Sequence, residues 1–276
     1  RGLGDVYKRQ NMNREVQVLV AAMHAEPKEL AGRMNLSSDA IIIDQCERDG
    51  EEEFTYHNHR IRCFHYAERG VGKSRNHAIE KADRDICLFS DEDIVYRDGY
   101  AEKIAGAFEK NPKADMIVFN VDVAEDRRTY FITEEKKVHF YNCGRYGAVS
   151  FAIRTDALKK SGVRFSTLFG GGAKYSNGED SLFIKELMDK GIQVYTSPEV
   201  IGRETESEST WFSGYHDKFF FDRGVLYHFL YGNLAPLMAL RFLLVHKSTL
   251  CTQKTVKEAF ALMRQGMKQG RKEQGE

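Results

Sequence analysis

Ile86-Cys87-Leu88-Phe89-Ser90-Asp91-Glu92-Asp93 is the stretch whose reading decides the fold. Its four leading apolar residues show no alternation and read as a short buried strand. That strand runs directly into three carboxylates. Upstream, residues 16–23 and 40–43 are two more apolar, strand-like runs, the second ending at Asp44, and a third short strand is expected at 61–66. A polar stretch of helical character lies between the first two. Between the third strand and Ile86, Ala78, Ile79 and Ala82 fall on one face of a helix. Strands alternating with helices predict an α/β fold, Rossmann-like, with a mainly parallel sheet flanked by helices. In such sheets ligands sit beyond the carboxyl ends of the strands, which is where Asp44 and the acidic triplet fall.

Downstream, a helix is predicted over 100–110 and a strand over 116–123, followed by a hairpin or excursion at 127–140. Residues 147–154 read as a strand and 156–160 as a helix. A glycine-rich loop at 169–172 leads to Asn177-Gly178-Glu179-Asp180. Leu182, Phe183, Leu187 and Met188 then recur at helical spacing over 181–190, with Gly191 as the stop signal. A last short strand over 192–195 is closed by Pro198. Hydrophobic residues at 42% and charged residues at 30% exclude a disordered chain, and a formal net charge of zero gives no sign of a nucleic-acid partner. The five cysteines are scattered without a CxxC pair, which argues against a disulfide framework and a structural zinc site and favours a reducing, cytoplasmic compartment. Residues 1–11 have neither an initiator methionine nor the apolar core of a signal peptide, and read as a non-native tail before Met12.

Asp91 and Asp93 flank one residue, and two carboxylates so close repel each other unless a cation or solvent relieves them. Hard ions such as Mn²⁺ or Mg²⁺ take oxygen ligands and complete their shell with phosphates and water, so D-x-D suits a metal-bound diphosphate. A solvated acidic turn capping a helix is the plainer account of the tripeptide. Glu179 and Asp180 open a helix, where carboxylates also serve as dipole partners; beside a D-x-D they suit a general base facing the same crevice. Residues 67–74 have the ending of a phosphate-binding loop, Gly72-Lys73-Ser74, which keeps a nucleotide hydrolase or kinase as an alternative. Against it, Ala67 replaces the first glycine and the loop follows the third strand.

In this order the segments resemble the family 2 glycosyltransferases, which have the GT-A fold. Arg69-Gly70-Val71-Gly72-Lys73-Ser74-Arg75-Asn76 is similar to that family's RG-x-x-x-ARN segment, residues 86–93 to its strand ending in D-x-D, and Gly178-Glu179-Asp180-Ser181-Leu182 to its G-E-D-x-x-L motif. The likeness covers roughly residues 16–199. It implies that Ala21, Ala22 and Met23 cradle the base of a nucleotide-sugar with Asp44. Gln45 stands where a second aspartate is usual. The likeness further implies that Arg75 lies near the nucleotide, that Asp91 and Glu92 belong to the donor site with Asp91 facing the ribose, and that Asp93 binds the metal. Asp180 would be the base of an inverting transfer, with Glu179 supporting the acceptor site. The acceptor would be a saccharide or a lipid-linked molecule. A non-catalytic nucleotide-sugar-binding protein is a further alternative.

Three regions follow: the tail 1–11, a GT-A domain over 12–205, and an extension over 206–276. In the extension, Trp211 is a candidate to pack on the sugar and His216 to contact metal or phosphate, the segment acting as a lid. Residues 241–276 hold eight Lys/Arg and three Asp/Glu, a net of +5 beside the apolar stretch 226–245. That pairing suggests peripheral contact with the inner face of a membrane, or an amphipathic helix docked on the catalytic domain. Asn233, Pro236 and Arg241 interrupt the apolar stretch as a span.

Overall fold

In the computed structural model, residues 14–123, 130–205 and 214–275 are described. Residues 1–11 and Trp211 thus lie outside the described part. Strands β1 (Val16–Met23), β2 (Asp39–Gln45), β3 (Gly50–Tyr56), β4 (His59–Tyr66), β5 (Ile86–Asp91), β6 (Ile94–Tyr96), β7 (Met116–Asp122), β8 (Phe151–Arg154) and β9 (Val194–Glu204) form one sheet in the order β3-β4-β2-β1-β5-β8-β7-β9-β6. The block β4-β2-β1-β5 is parallel, as is the pair β7–β9, whereas β3, β8 and β6 run antiparallel to their neighbours. The sheet is therefore mixed, and its parallel block carries the acidic residues.

Helices α1 (Pro27–Arg33), α2 (Val71–Lys81), α3 (Tyr100–Lys110), α4 (Thr155–Ser161) and α5 (Glu179–Asp189) flank the sheet. Alternate residues of each central strand feed two cores. Leu19, Ile41, Ile43, Cys87 and Phe89 pack with α2 and α5, while Val18, Val20, Ile42 and Leu88 pack with α1 and α3. A strand buried on both faces needs apolar residues at every position, which explains the unbroken run at 86–89.

Two strands escape the sequence reading. The outer strand β3 is Gly-Glu-Glu-Glu-Phe-Thr-Tyr, with four exposed residues at its start, and an edge strand carrying charge gives no apolar signal. The three-residue β6 pairs only with β9. The expected end of the last strand at Pro198 is also corrected, because β9 continues to Glu204. The register with β7 shifts on either side of Asn120, whose side chain donates to the Pro198 carbonyl at 3.1 Å. A proline at such an irregularity breaks no ladder bond.

Beyond the sheet, α6 (Asp217–Tyr231), α7 (Ala235–Val245) and α8 (Val256–Gln274) form a helical extension. Helices α6 and α8 cross so closely that a Cβ on Gly266 would stand 2.0 Å from the Phe221 carbonyl oxygen. The extension also touches the sheet domain. Val225 and Leu226 of α6 share a core with Phe169, Tyr175 and Leu182.

Candidate active site

The register of the parallel block brings the predicted residues to one edge. Ala22 pairs with Asp44, Met23 with Gln45 and Ala21 with Asp91. Ala22 is buried and Met23 is exposed at 40%, so the edge is open to solvent beside Met23. Asp91 ends β5, and Glu92 and Asp93 form the turn into β6.

Arg75 holds this edge to the second acidic motif. It sits in the first turns of α2, with its side chain 4% exposed. One terminal nitrogen donates to Asp91 at 3.0 Å, and the other to Asp180 at 2.8 Å and to Glu179 at 3.4 Å. Burial alone would drive the guanidinium towards neutrality; Asp91, Asp180 and Glu179 outweigh it and hold the proton more firmly than usual. The planar fork of arginine suits this bridging, which a lysine point charge could not reproduce. Its plane is supported by Phe165, 5.2 Å from the guanidinium carbon, and Phe165 stacks on Phe183 of α5. Asn76 fixes the Phe165 backbone with two bonds, of 2.9 and 2.8 Å.

Asp180 accepts a second bond from the Ala148 amide at 3.0 Å, while burial raises its carboxyl against the pull of Arg75. Glu179 is more enclosed, and burial with the neighbouring Asp180 pushes it up to about 7 despite Arg75. Both follow Gly178, which has φ 118° and whose Cβ would meet Leu226 at 2.5 Å. Only glycine fits that position. The loop before it is tied to α6 by buried Asp222, which accepts from the Ser176 amide and hydroxyl at 3.1 and 3.0 Å. Phe165, Ala148 and Asp222 were missed in the sequence because each acts across a large sequence separation, without a local motif; Asn76 belongs to a motif, but its tie to Phe165 could not be read there.

Asp93 is raised to about 6 by burial, then by Asp91, Glu204 and Glu92. Among the described residues no Lys or Arg forms an ion pair with it. A carboxylate with no such partner, one residue from Asp91, is a suitable ligand for a hard divalent ion. Glu92 turns elsewhere: its carboxylate lies 3.9 Å from Arg33, and its raised pKa comes from burial, opposed by the Met23 amide.

Asp44 is buried, accepting from the Ala25 amide at 2.9 Å and pairing with His65 Nδ1 at 2.8 Å. It therefore shapes the loop after β1. Gln45 commits its amide to Gly70, with Nε2 donating to the carbonyl at 3.2 Å and Oε1 accepting from the amide at 3.1 Å. Gln45 thus holds the loop that launches α2 and Arg75. Two groups of mixed donors, Asp44-Cys46-His65 and Glu52-Cys63-His65, lie near one another but are joined by hydrogen bonds around the imidazole. Lys73, the key residue of the phosphate-loop alternative, points to Glu68 at 3.6 Å, and Arg75 takes the acidic site instead. His216 precedes α6, and its Nδ1 lies 2.6 Å from the Gly214 carbonyl oxygen.

Residues 30–165 match the sequence model of glycosyl transferase family 2. No curated protein matches the chain. Among solved structures, S. aureus TarS 1–349 in complex with UDP-GlcNAc superposes with a TM-score of 0.60 at 15% identity, over 85% of this chain and 73% of that one. The mannosyltransferase PcManGT from Pyrobaculum calidifontis, in complex with GDP-Man and Mn²⁺, gives 0.54 at 13% identity, over 95% and 88%. At such identities these likenesses speak for the fold, which is GT-A with a helical C-terminal region.

Proposed function

We propose that this glycosyltransferase, a member of family 2 through residues 30–165, moves a sugar from a nucleoside diphosphate donor, a UDP-sugar, to an acceptor hydroxyl with inversion. The product would be a polysaccharide or glycolipid, made in the cytoplasm or at the inner face of a membrane. All five cysteines are free, which suits that compartment. The observation that carries the reading is Arg75, which joins the donor-side Asp91 and the base candidate Asp180 through one guanidinium. Donor and base then face the same crevice.

In this reading Ala21, Ala22 and Met23 bound the base of the nucleotide, and Asp91 faces the ribose. Asp93 would hold Mn²⁺ or Mg²⁺, which would offset charge on the diphosphate as it departs. Asp180 takes the proton of the acceptor hydroxyl. As the acceptor oxygen bonds to the anomeric carbon, the bond from that carbon to the phosphate oxygen breaks, and the nucleoside diphosphate leaves with the electron pair. Arg75 favours the ionised form of Asp180 against the burial that raises it, and Glu179 braces the acceptor side. His216 and Trp211 remain proposed contacts to metal or phosphate and to sugar. The test is release of free nucleotide from a panel of UDP- and GDP-sugars with Mn²⁺ or with EDTA. The reading expects metal-dependent release from a UDP-sugar that Asp180→Asn abolishes. Release from none of them with Mn²⁺ present would end it.

A further inference from the structure

We propose that α7 is a bilayer-docking helix whose outward leucines enter the interface of an anionic membrane. The proposal sharpens the membrane contact named above and does not depend on the transfer chemistry. Helix α7 is apolar on two sides. Ala235, Ala239 and Leu243 are buried against α6 and α8, while Leu237, Leu240, Leu244 and Val245 face outward at 65%, 39%, 57% and 62% exposure. At 100° per residue these two sets lie on opposite sides of one helix. So many large apolar side chains together on a surface mark a contact.

Charge identifies the partner. The 35 residues from Arg223 to Lys257 contain no Asp or Glu and five Lys/Arg; Lys254 pairs with Asp217 and Arg223 packs against Phe219 and Phe242, which leaves Arg241, Lys247 and Lys257. Arg241 lies on the outward face itself, and Lys247 is exposed just past the end of the helix. An apolar face that carries Arg241, with Lys247 at its end and no carboxylate of its own, complements acidic headgroups, with the long stem of Arg241 free to lie along the apolar boundary.

The geometry describes a helix lying on a bilayer and not one crossing it. By length and composition the stretch Asp217–Val245 could span a membrane. It is broken at Gly232, with φ 51°, and its first part, α6, buries Phe220, Val225 and Leu226 inside the protein. The 11 residues of α7 reach only about 16 Å, against about 30 Å of hydrocarbon. The basic helix α8, which the sequence alone makes an equal candidate, packs along α6 through Gly266 and Gly270. Since α6 also seats Leu226 against Gly178, docking through α7 would fix the base-bearing end of α5 relative to the membrane.

Vesicle flotation of the full chain tests this, with vesicles of phosphatidylcholine alone or mixed with phosphatidylglycerol. The wild type should float with the anionic vesicles, less so as salt rises, and Leu237→Glu/Leu244→Glu should lower partitioning by about tenfold or more. The variant should keep the wild-type melting temperature and its rate of nucleotide release from donor. Failure of the wild type to float, or equal flotation of the double variant, overturns the proposal. So does light scattering that shows a dimer which the double variant dissociates, since a second copy would then cover the face. A protein that releases no nucleotide but floats as described would sink the transferase reading alone.

Discussion

Arg75→Met removes the guanidinium that three carboxylates share while leaving a side chain able to lie over Phe165. Withdrawing one partner from a buried ion pair costs about 3–5 kcal/mol, chiefly because the remaining charge is stranded. Asp91 and Asp180 keep 38% and 25% of their side-chain surface in solvent, so hydration offsets part of that loss. The low end, about 3 kcal/mol, follows, and for a chain of this size it lowers Tm by roughly 6–12 °C near neutral pH. The deficit should depend on pH in a defined sense. Glu179 is already lifted from 4.5 to about 7, and without Arg75 it rises further. A carboxyl with a raised folded-state pKa costs nothing below its unfolded pKa and its full penalty above the folded one, so stability falls as pH climbs between the two. Thermal melts followed by circular dichroism should therefore show a small deficit near about pH 5 and a clearly larger one near about pH 8, still growing above about pH 7. A deficit that is flat with pH, or larger in acid, would refute the claim that Arg75 works by neutralising this cluster.

Asp180→Asn keeps the shape of the side chain but removes the proposed base, so sugar transfer should fall by about 10²–10⁴-fold while UDP affinity stays within about twofold, by product assay and calorimetry. Lys73→Ala removes only a half-exposed partner of Glu68. Nucleotide release should change less than about twofold, whereas a phosphate-loop enzyme would lose it. Gly266→Ala places a Cβ 2.0 Å from the Phe221 carbonyl oxygen and 2.9 Å from the Val225 nitrogen, both backbone atoms that cannot swing away. It should cost at least about 2 kcal/mol, read as a lower urea midpoint, and an unchanged midpoint would mean that α6 and α8 do not cross there.

The central block of the fold was legible because a strand covered on both sides must be apolar throughout, as at Ile41 to Ile43 and at Ile86 to Phe89. Where that demand lapses, so does the signal: β3 lies at an edge with Glu51, Glu52 and Glu53 in solvent, and β9 carries Pro198 through a register shift. The acidic residues were visible as motifs, since Asp91-Glu92-Asp93 and Gly178-Glu179-Asp180 are each local. Their joining through Arg75 was not, because residues 75, 91 and 180 meet only after the sheet is assembled. Gln45 shows the same limit. Its sequence position places it beside a base, but no motif reveals its bonds to Gly70, which hold the loop that launches α2. In the extension, composition marked an apolar and a basic segment, but only packing separates α7, which presents leucines outward, from α8, which spends its glycines against α6.

Calorimetric titration of UDP into the protein, with Mn²⁺ and then with EDTA, in the wild type and in Asp93→Asn, tests most directly whether the carboxylates beyond β5 hold a metal-bound diphosphate. UDP binding should require Mn²⁺ in the wild type and be weakened by about tenfold or more in Asp93→Asn. Equal UDP binding in EDTA, or a variant that binds UDP with Mn²⁺ as well as the wild type does, would contradict it.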